Sequence, residues 1–214
     1  ISSDLAVMRT SLIPGLLGAA VHNINRQQTR VRLFETGLRF MPGESLAQTP
    51  MLGLLLCGRR MPEGWSSNAE PVDFYDMKGE IEALLKAADQ TLTFRAAVRP
   101  GLHDGQTAEI LLGDEVVGVM GRLHPSTAKT LNLPEQTLVA ELELASVVRR
   151  ALPDYEEISK FPEVRRDIAV IVNRETPSAA VLDAARASAG AALAKARIFD
   201  VYEGDGVAEN AKSL

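Results

Sequence analysis

The chain has 214 residues, 46% of them hydrophobic and 24% charged, with a formal net charge of −5, as expected of a globular protein of one or two domains with a substantial core. That charge argues against a general coat for nucleic acid or membrane, so any RNA contact must be local. The single cysteine excludes an internal disulfide and fits a reducing cytoplasm, and neither a signal peptide nor an apolar run of membrane-spanning length is found.

The chain opens at Ile1 without a methionine and stops at KSL in mid-pattern, so it reads as a piece of something longer. Its organising stretch is MRTSLIPGLLGAAVHNINRQQTRVRLFETG, from Met8 to Gly37. Thr10 and Ser11 offer oxygens to the free N–H groups of a helix start, and Pro14 falls in the first turn, where a missing donor costs little. Leu12, Leu16, Val21 and Ile24, with Ile13, Leu17 and Ala20 beside them, form an apolar stripe at helical spacing that needs a partner surface. Gly15 and Gly18, one turn apart, are expected to let another backbone approach closely, at about 1 kcal/mol each in helix propensity. His22 at the helix end is expected to meet free carbonyls. Val31, Leu33 and Phe34 then start a strand.

MLGLLLC, Met51 to Cys57, is a short apolar run between Pro50 and Gly58 and predicts a buried strand, with Cys57 a small buried hydrophobe. Proline and glycine punctuate Arg59 to Val72, a loop in which Trp65 is expected to pin the segment to the core, a contact surface being the alternative. Asp73 caps a helix whose residues Phe74, Met77, Ile81, Leu84, Leu85 and Ala88 recur at three- and four-residue steps and read as core. Leu92, Phe94, Ala96 and Val98 alternate as a half-buried strand, and Gly101 to Gly105 reads as a loop. Thr107 to Leu112 and Val116 to Gly121 flank Gly113-Asp114-Glu115 as a hairpin. His124-Pro125-Ser126 opens a short helix, and Leu138 to Leu144 is a further strand. These elements predict a largely antiparallel sheet packed by helices.

ALPDYEEISK, residues 151–160, reads as a linker. Beyond it, RRDIAVIV (Arg165 to Val172) is expected as a strand, the alanine-rich Ser178 to Ala194 as a helix and RIFDVY (Arg197 to Tyr202) as a strand. That order favours a right-handed crossover between parallel strands.

His22, His103 and His124 lie far apart without cysteine or carboxylate neighbours at ligand spacing, so no metal site is predicted. Asp73 and Asp76 suit a helix start, while Asp154, Glu156 and Glu157 are solvated linker charges; neither run has the spacing of a calcium loop. Lys160, Arg165 and Arg166 form a small basic cluster near Phe161, suited either to phosphate contact or to a solvated strand edge. Single-stranded RNA is read by stacking on aromatics and by base-edge hydrogen bonds. Tyr202 offers a stacking ring, Asp200 an acceptor on the same strand face, and Ala169 room for close approach. On chemistry alone Tyr202 reads first as core or edge packing.

MRTSLIPGLL with RLFETG, then TAEILLGDEVVGVMGRLHP and LVAELEL, resemble in order the synthetase-like core of the bacterial phenylalanyl-tRNA synthetase beta subunits, the first unit corresponding to a class II motif that builds subunit interfaces. FPEVRRDIAVIV and FDVYEGDGV…KSL resemble that family's anticodon-binding ferredoxin-fold domain, of which only half is present. The resemblance implies an α+β fold: a class II synthetase-like antiparallel sheet with packed helices in residues 1–150, followed by a truncated ferredoxin-like domain in 161–214. Class II catalysis requires fixed cations on the alpha-phosphate. Arg32 and Glu35 have the wrong spacing for the motif 2 pair, and Gly118, Gly121 and Arg122 echo motif 3 only at a strand exit, so no catalytic residue is expected. In the loop GLHDGQ the family more usually shows proline and a basic residue, and Asp104 and Gln106 depart from that. The resemblance also implies anticodon contacts at Ala169, Asp200, Tyr202 and Ser213, to which Arg165 and Arg166 are added as phosphate contacts. It implies docking of the catalytic alpha subunit through the Leu12–Ile24 helix, tRNA(Phe) as a partner, a cytoplasmic location and no membrane association. ATP and magnesium are then cofactors of the whole enzyme, with none expected in this piece. The rival readings are a purely structural interaction module and a self-sufficient class II ligase with altered motifs.

Overall fold

The computed structural model describes residues 6–43, 45–86, 91–150, 155, 160 and 162–214. The chain divides into two compact units, Ile1–Asp154 and Tyr155–Leu214. The expected linker, 151–160, lies outside the described residues apart from Tyr155 and Lys160.

In chain order the first unit contains α1 (Ile13–Ile24), β1 (Arg30–Met41), β2 (Ala47–Gly58), α2 (Phe74–Leu85), β3 (Leu92–Ala96), β4 (Leu102–Leu112), β5 (Glu115–Leu123), α3 (Pro125–Thr130), β6 (Leu138–Glu143) and α4 (Leu144–Val148). The strands form one sheet in the order β1-β2-β6-β5-β4-β3, every neighbouring pair antiparallel. β2 is apolar at consecutive positions because both of its faces are covered. Leu55 and Cys57 join Leu16 and Ala20 of α1 in one cluster, with Val31, Leu123 and Val139. Leu56 joins Met77, Ile81 and Leu85 of α2 in the other, with Ile110, Met120, Leu138 and Leu142. Strand side chains alternate between faces, so α1 and α2 lie on opposite sides of the sheet.

The apolar stripe of α1 is thus consumed by the chain's own sheet. Ser11 Oγ accepts the Ile13 N–H at 3.1 Å, and a second cap comes from far away in sequence. Glu141 on β6, only 7% exposed, accepts the Leu12 N–H at 2.6 Å and the Ser11 hydroxyl at 3.1 Å. Gly15 and Gly18 do not provide the close approach expected of them. Both are exposed, and a Cβ on Gly18 would meet nothing within 4 Å. The notch is in the sheet instead: a Cβ on Gly53 would lie 2.8 Å from Leu16 Cδ1 and 3.1 Å from Leu12 Cβ. At the other end, the carbonyls of Ala19 and His22 accept from Asn23 and Arg26, so the His22 ring is not their partner.

α2 begins with a capping box. Asp73 Oδ1 accepts from the N–H groups of Tyr75 and Asp76 at 2.8 and 3.0 Å, and Asp76 Oδ2 accepts the Asp73 N–H at 2.8 Å. Leu84 leaves the expected stripe, being 41% exposed, and Ala88 lies outside the described residues. Trp65 does not pin its loop; it is fully exposed. The loop is fastened at its base by Arg60, which pairs with Glu70, Asp73 and Asp76. Those carboxylates, Asp76 foremost, push the guanidinium pKa further up.

The expected loop Gly101–Gly105 is instead largely strand, because Leu102 pairs with Leu123 and the irregularity is absorbed between Leu102 and Thr107. Gly101, at φ +83°, makes the turn into it. β3 stops at Ala96, which leaves Val98 70% exposed. Cys57 is fully enclosed, and burial pushes its thiol up from 9.0 to about 11 against a hydrogen bond from Thr137. The folded state therefore favours the neutral thiol. Stability from this group is complete below pH 9 and is lost as pH rises towards about 11. Thermal melts across that interval should show a decline that Cys57→Ala abolishes.

The second unit contains β7 (Ile171–Asn173), α5 (Ser178–Ala189), a single 3₁₀ turn at Gly190–Ala192 and β8 (Ala211–Ser213). The expected strand 165–172 forms only from Ile171, and 197–202 forms no strand. Its last residue, Tyr202, makes an isolated antiparallel bridge to Ser213. The physical reason is the length of the partner: β8 is three residues long and pairs with Ile171–Asn173. Both β7 and Tyr202 run antiparallel to β8, so they run parallel to each other with β8 between them. The crossover thus joins parallel segments that do not touch. Among the described residues of this unit none is buried. No helix among the described residues of the chain is long and apolar enough to cross a membrane.

Candidate nucleic-acid interface

The site is built around β8. Tyr202 and Ser213 exchange both backbone hydrogen bonds at 2.9 Å, while Ser213 stands opposite Ile171 on its other side. Residues directly opposite one another across an antiparallel pair present their side chains on the same face. Ile171, Ser213 and Tyr202 therefore form one row across three segments. Ala169 and Asp200 precede Ile171 and Tyr202 by two residues and lie outside β7 and the bridge. Of the six expected site residues the pairing brings Tyr202 and Ser213 together, and Ala169 and Asp200 stand two residues upstream of the row along the chain.

All of this face is open to solvent in some degree. Tyr202 is 47% exposed, Ala169 and Asp200 are exposed and Ser213 is half-buried. The Tyr202 ring lies over Gly204, where a Cβ would come within 2.7 Å of its hydroxyl oxygen. Only glycine leaves room there. The hydroxyl points to the Asp205 carbonyl at 3.3 Å, long for an O–H donor and easily exchanged. Arg174, at the exit of β7, pairs with Glu203, tying the Gly204–Asn210 turn to the sheet together with an Arg174 N–H to Asn210 O bond at 2.8 Å. The turn and Arg174 line a shallow depression beside the row. Chemically, the row offers an aromatic ring and a hydroxyl, with a carboxylate acceptor and a small residue two positions upstream along the chain.

Arg165 and Arg166 are not part of that row. Both are exposed; Arg165 Nε pairs with Glu163 at 3.1 Å and Arg166 donates to the Arg165 carbonyl at 2.8 Å. The Phe161 expected beside them lies outside the described residues.

Several arginines of the first unit are matched with carboxylates, while Arg26 and Arg30 donate to backbone carbonyls. Arg32 donates to Glu80 at 2.8 Å and to the Arg60 carbonyl at 3.2 Å. Arg9 pairs with Glu35, and Arg95 and Arg99 both reach Glu109. Those two guanidinium groups, Arg95 foremost, hold the Glu109 carboxyl below its usual range. Arg122 is 7% exposed and reaches only Glu135, at 3.5 Å. His124 caps α3 by accepting the Ser126 N–H at 3.3 Å, and His103 accepts the Gly105 N–H at 3.0 Å. Among the described residues no group of three or more His, Cys, Asp or Glu is placed to hold a metal ion.

Sequence reasoning named Ser213 but missed the strand it belongs to, β8, which organises the interface, and it missed the carboxylate that caps α1. The only sequence signal for Glu141 was its place among apolar neighbours in LVAELEL.

Comparison with known proteins matches residues 1–144 to the phenylalanyl tRNA synthetase beta chain CLM domain and residues 159–214 to the ferredoxin-fold anticodon binding domain. The chain is 48% identical over 215 residues to a phenylalanine–tRNA ligase beta subunit of Hahella chejuensis, and 48% identical over 217 residues to one of Pseudomonas syringae pv. tomato. In both cases the match covers 100% of this chain, which spans only 27% of the relative. Among solved structures, a pyrrolysyl tRNA synthetase of Desulfitobacterium hafniense aligns with 65% of this chain and 48% of its own at 15% identity, with a TM-score of 0.46.

Proposed function

The chain belongs to the phenylalanyl-tRNA synthetase beta-chain family, and from that premise we propose that it is a non-catalytic part of a cytoplasmic phenylalanine–tRNA ligase, docking the alpha subunit and binding tRNA(Phe). ATP and magnesium serve the whole enzyme, and no cofactor is held by this chain. The observation that carries the RNA reading is the solvent-accessible pairing of Tyr202 with Ser213, two residues along the chain from Asp200 and beside the strand that follows Ala169, inside the segment matched to an anticodon-binding domain. Tyr202 stacks on an unpaired base, Asp200 accepts from a base amino group, Ser213 offers a hydroxyl, and Ala169 lets the nucleotide come close. Arg165 and Arg166 add phosphate contacts at the edge. The non-catalytic reading is supported by Arg9, Arg32, Arg95 and Arg99 of the first unit, whose carboxylate partners occupy the charge that a transferring phosphate would need. Docking of the alpha subunit through α1 would use the exposed face with Pro14, Gly15, Gly18, Ala19 and His22, since its apolar stripe is already buried.

Filter-binding titration with tRNA(Phe) tests this reading. Tyr202→Ala is expected to weaken binding about ten- to a hundredfold, the loss of one stacked base. Arg166→Ala should weaken it less and reduce the salt dependence by about one counterion. Unchanged affinity in both variants would favour a purely structural module.

A further inference from the structure

The loop between β2 and α2 is ordered at both ends. At its base the Arg60 N–H donates to Glu70 O at 2.8 Å and the Val72 N–H to Gly58 O at 2.9 Å, while the Arg60 guanidinium holds Asp73 at 2.6 Å and Asp76 at 3.0 Å. At its tip the Ser67 hydroxyl donates to Pro62 O at 2.8 Å, closing a turn around residues 62–67. Trp65 sits inside that turn and is entirely exposed, with Met61 55% exposed nearby in sequence. A rigid loop that holds the largest apolar side chain in water forgoes its burial, and loses little entropy when a partner covers it.

The charges decide what that partner is. From Met61 to Pro71 the loop carries Glu63 and Glu70 and no lysine or arginine. The flanking Arg59 and Arg60 are engaged by Glu63, Glu70, Asp73 and Asp76. A phosphate backbone would find no uncommitted cation here. Four carboxylates against two guanidinium groups leave the loop and its base with surplus negative charge, so an apolar pocket rimmed by lysine or arginine fits both the ring and that surplus, and buried tryptophan anchors are typical of the residues that carry interface energy. We propose that Trp65 is the anchor by which the first unit docks a protein surface with such a basic-rimmed pocket, borne by the alpha subunit. The inference rests on the docking reading given above.

Trp65 is the chain's only tryptophan, so 5-fluorotryptophan incorporated into this chain alone gives one ¹⁹F resonance. In the free chain it should show the full H₂O/D₂O solvent isotope shift. On addition of the alpha subunit it should move and lose that shift, and Trp65→Ala should weaken the complex about thirtyfold, with Trp65→Phe between. If sizing shows a complex while the resonance stays solvated and Trp65→Ala binds as wild type, the anchor is refuted and the docking reading stands. If no complex forms, both fall. A response to tRNA(Phe) alone would overturn the anchor in favour of an RNA contact.

Discussion

Glu141→Ala is expected to destabilise the first unit by about 1–3 kcal/mol, because it leaves a buried backbone donor without its acceptor. The Leu12 N–H lies at the start of α1, where no intrahelical carbonyl is available, and Glu141 Oε1 meets it at 2.6 Å. The same oxygen accepts the Ser11 hydroxyl, which in turn accepts the Ile13 N–H. Removing the carboxylate therefore loosens a chain of three linked groups. Glu141→Gln keeps an acceptor oxygen and should recover most of the loss. Chemical denaturation of the three proteins measures this directly, and equal destabilisation by Ala and Gln would show that charge matters more than the acceptor.

Gly53→Val should cost a similar amount, about 1–3 kcal/mol, through overpacking. Gly53 stands directly opposite Glu141 across β2 and β6, beneath the first turn of α1. Its absent side chain is what allows Leu12 and Leu16 to reach the sheet. Leu16 Cδ1 is the end of a flexible side chain and can shift, but Leu12 Cβ is fixed by the helix backbone, so the added branches lift the helix start. Lifting it also breaks the Glu141 bonds. The double variant is accordingly expected to cost less than the sum of the singles, since both act on one contact. Strict additivity would mean that the cap and the notch work independently.

This pair of residues shows where sequence patterns stop being informative. The period-3.6 stripes of α1 and α2, the Asp73 cap, the Gly113 hairpin and the His124 helix start are local relations, and each is legible because its partners lie within a few residues. Glu141 acts on residues more than a hundred positions away and Gly53 on residues about forty positions away, so no local spacing reports them. Gly15 and Gly18 suggested close approach by their one-turn separation, yet which face of a helix meets the sheet is set by the larger side chains at Leu12, Leu16 and Ala20. Trp65 was assigned to the core by its size, while the loop's actual anchor is an ion cluster that depends on how α2 presents Asp73 and Asp76.

The second unit was legible in composition and only partly in geometry. The alternation in RRDIAVIV and RIFDVY marks extended backbone, but a ladder needs a partner, and the partner, AKS at 211–213, is too short to announce itself by period. Once β8 is in place, pairing puts Ser213, Tyr202 and Ile171 on one face, with Ala169 and Asp200 two residues upstream. Arg165 and Arg166 lie well upstream of that pairing, and their engagement with Glu163 and a backbone carbonyl leaves them a peripheral part in any RNA contact.

Titration of the ¹⁵N-labelled chain with the anticodon stem-loop of tRNA(Phe) tests most directly whether this sheet face meets RNA. The expected result is a set of amide shifts concentrated at 169–173, 200–203 and 211–214, abolished by Tyr202→Ala. Shifts confined to residues 6–150, or none at stem-loop excess, would contradict it.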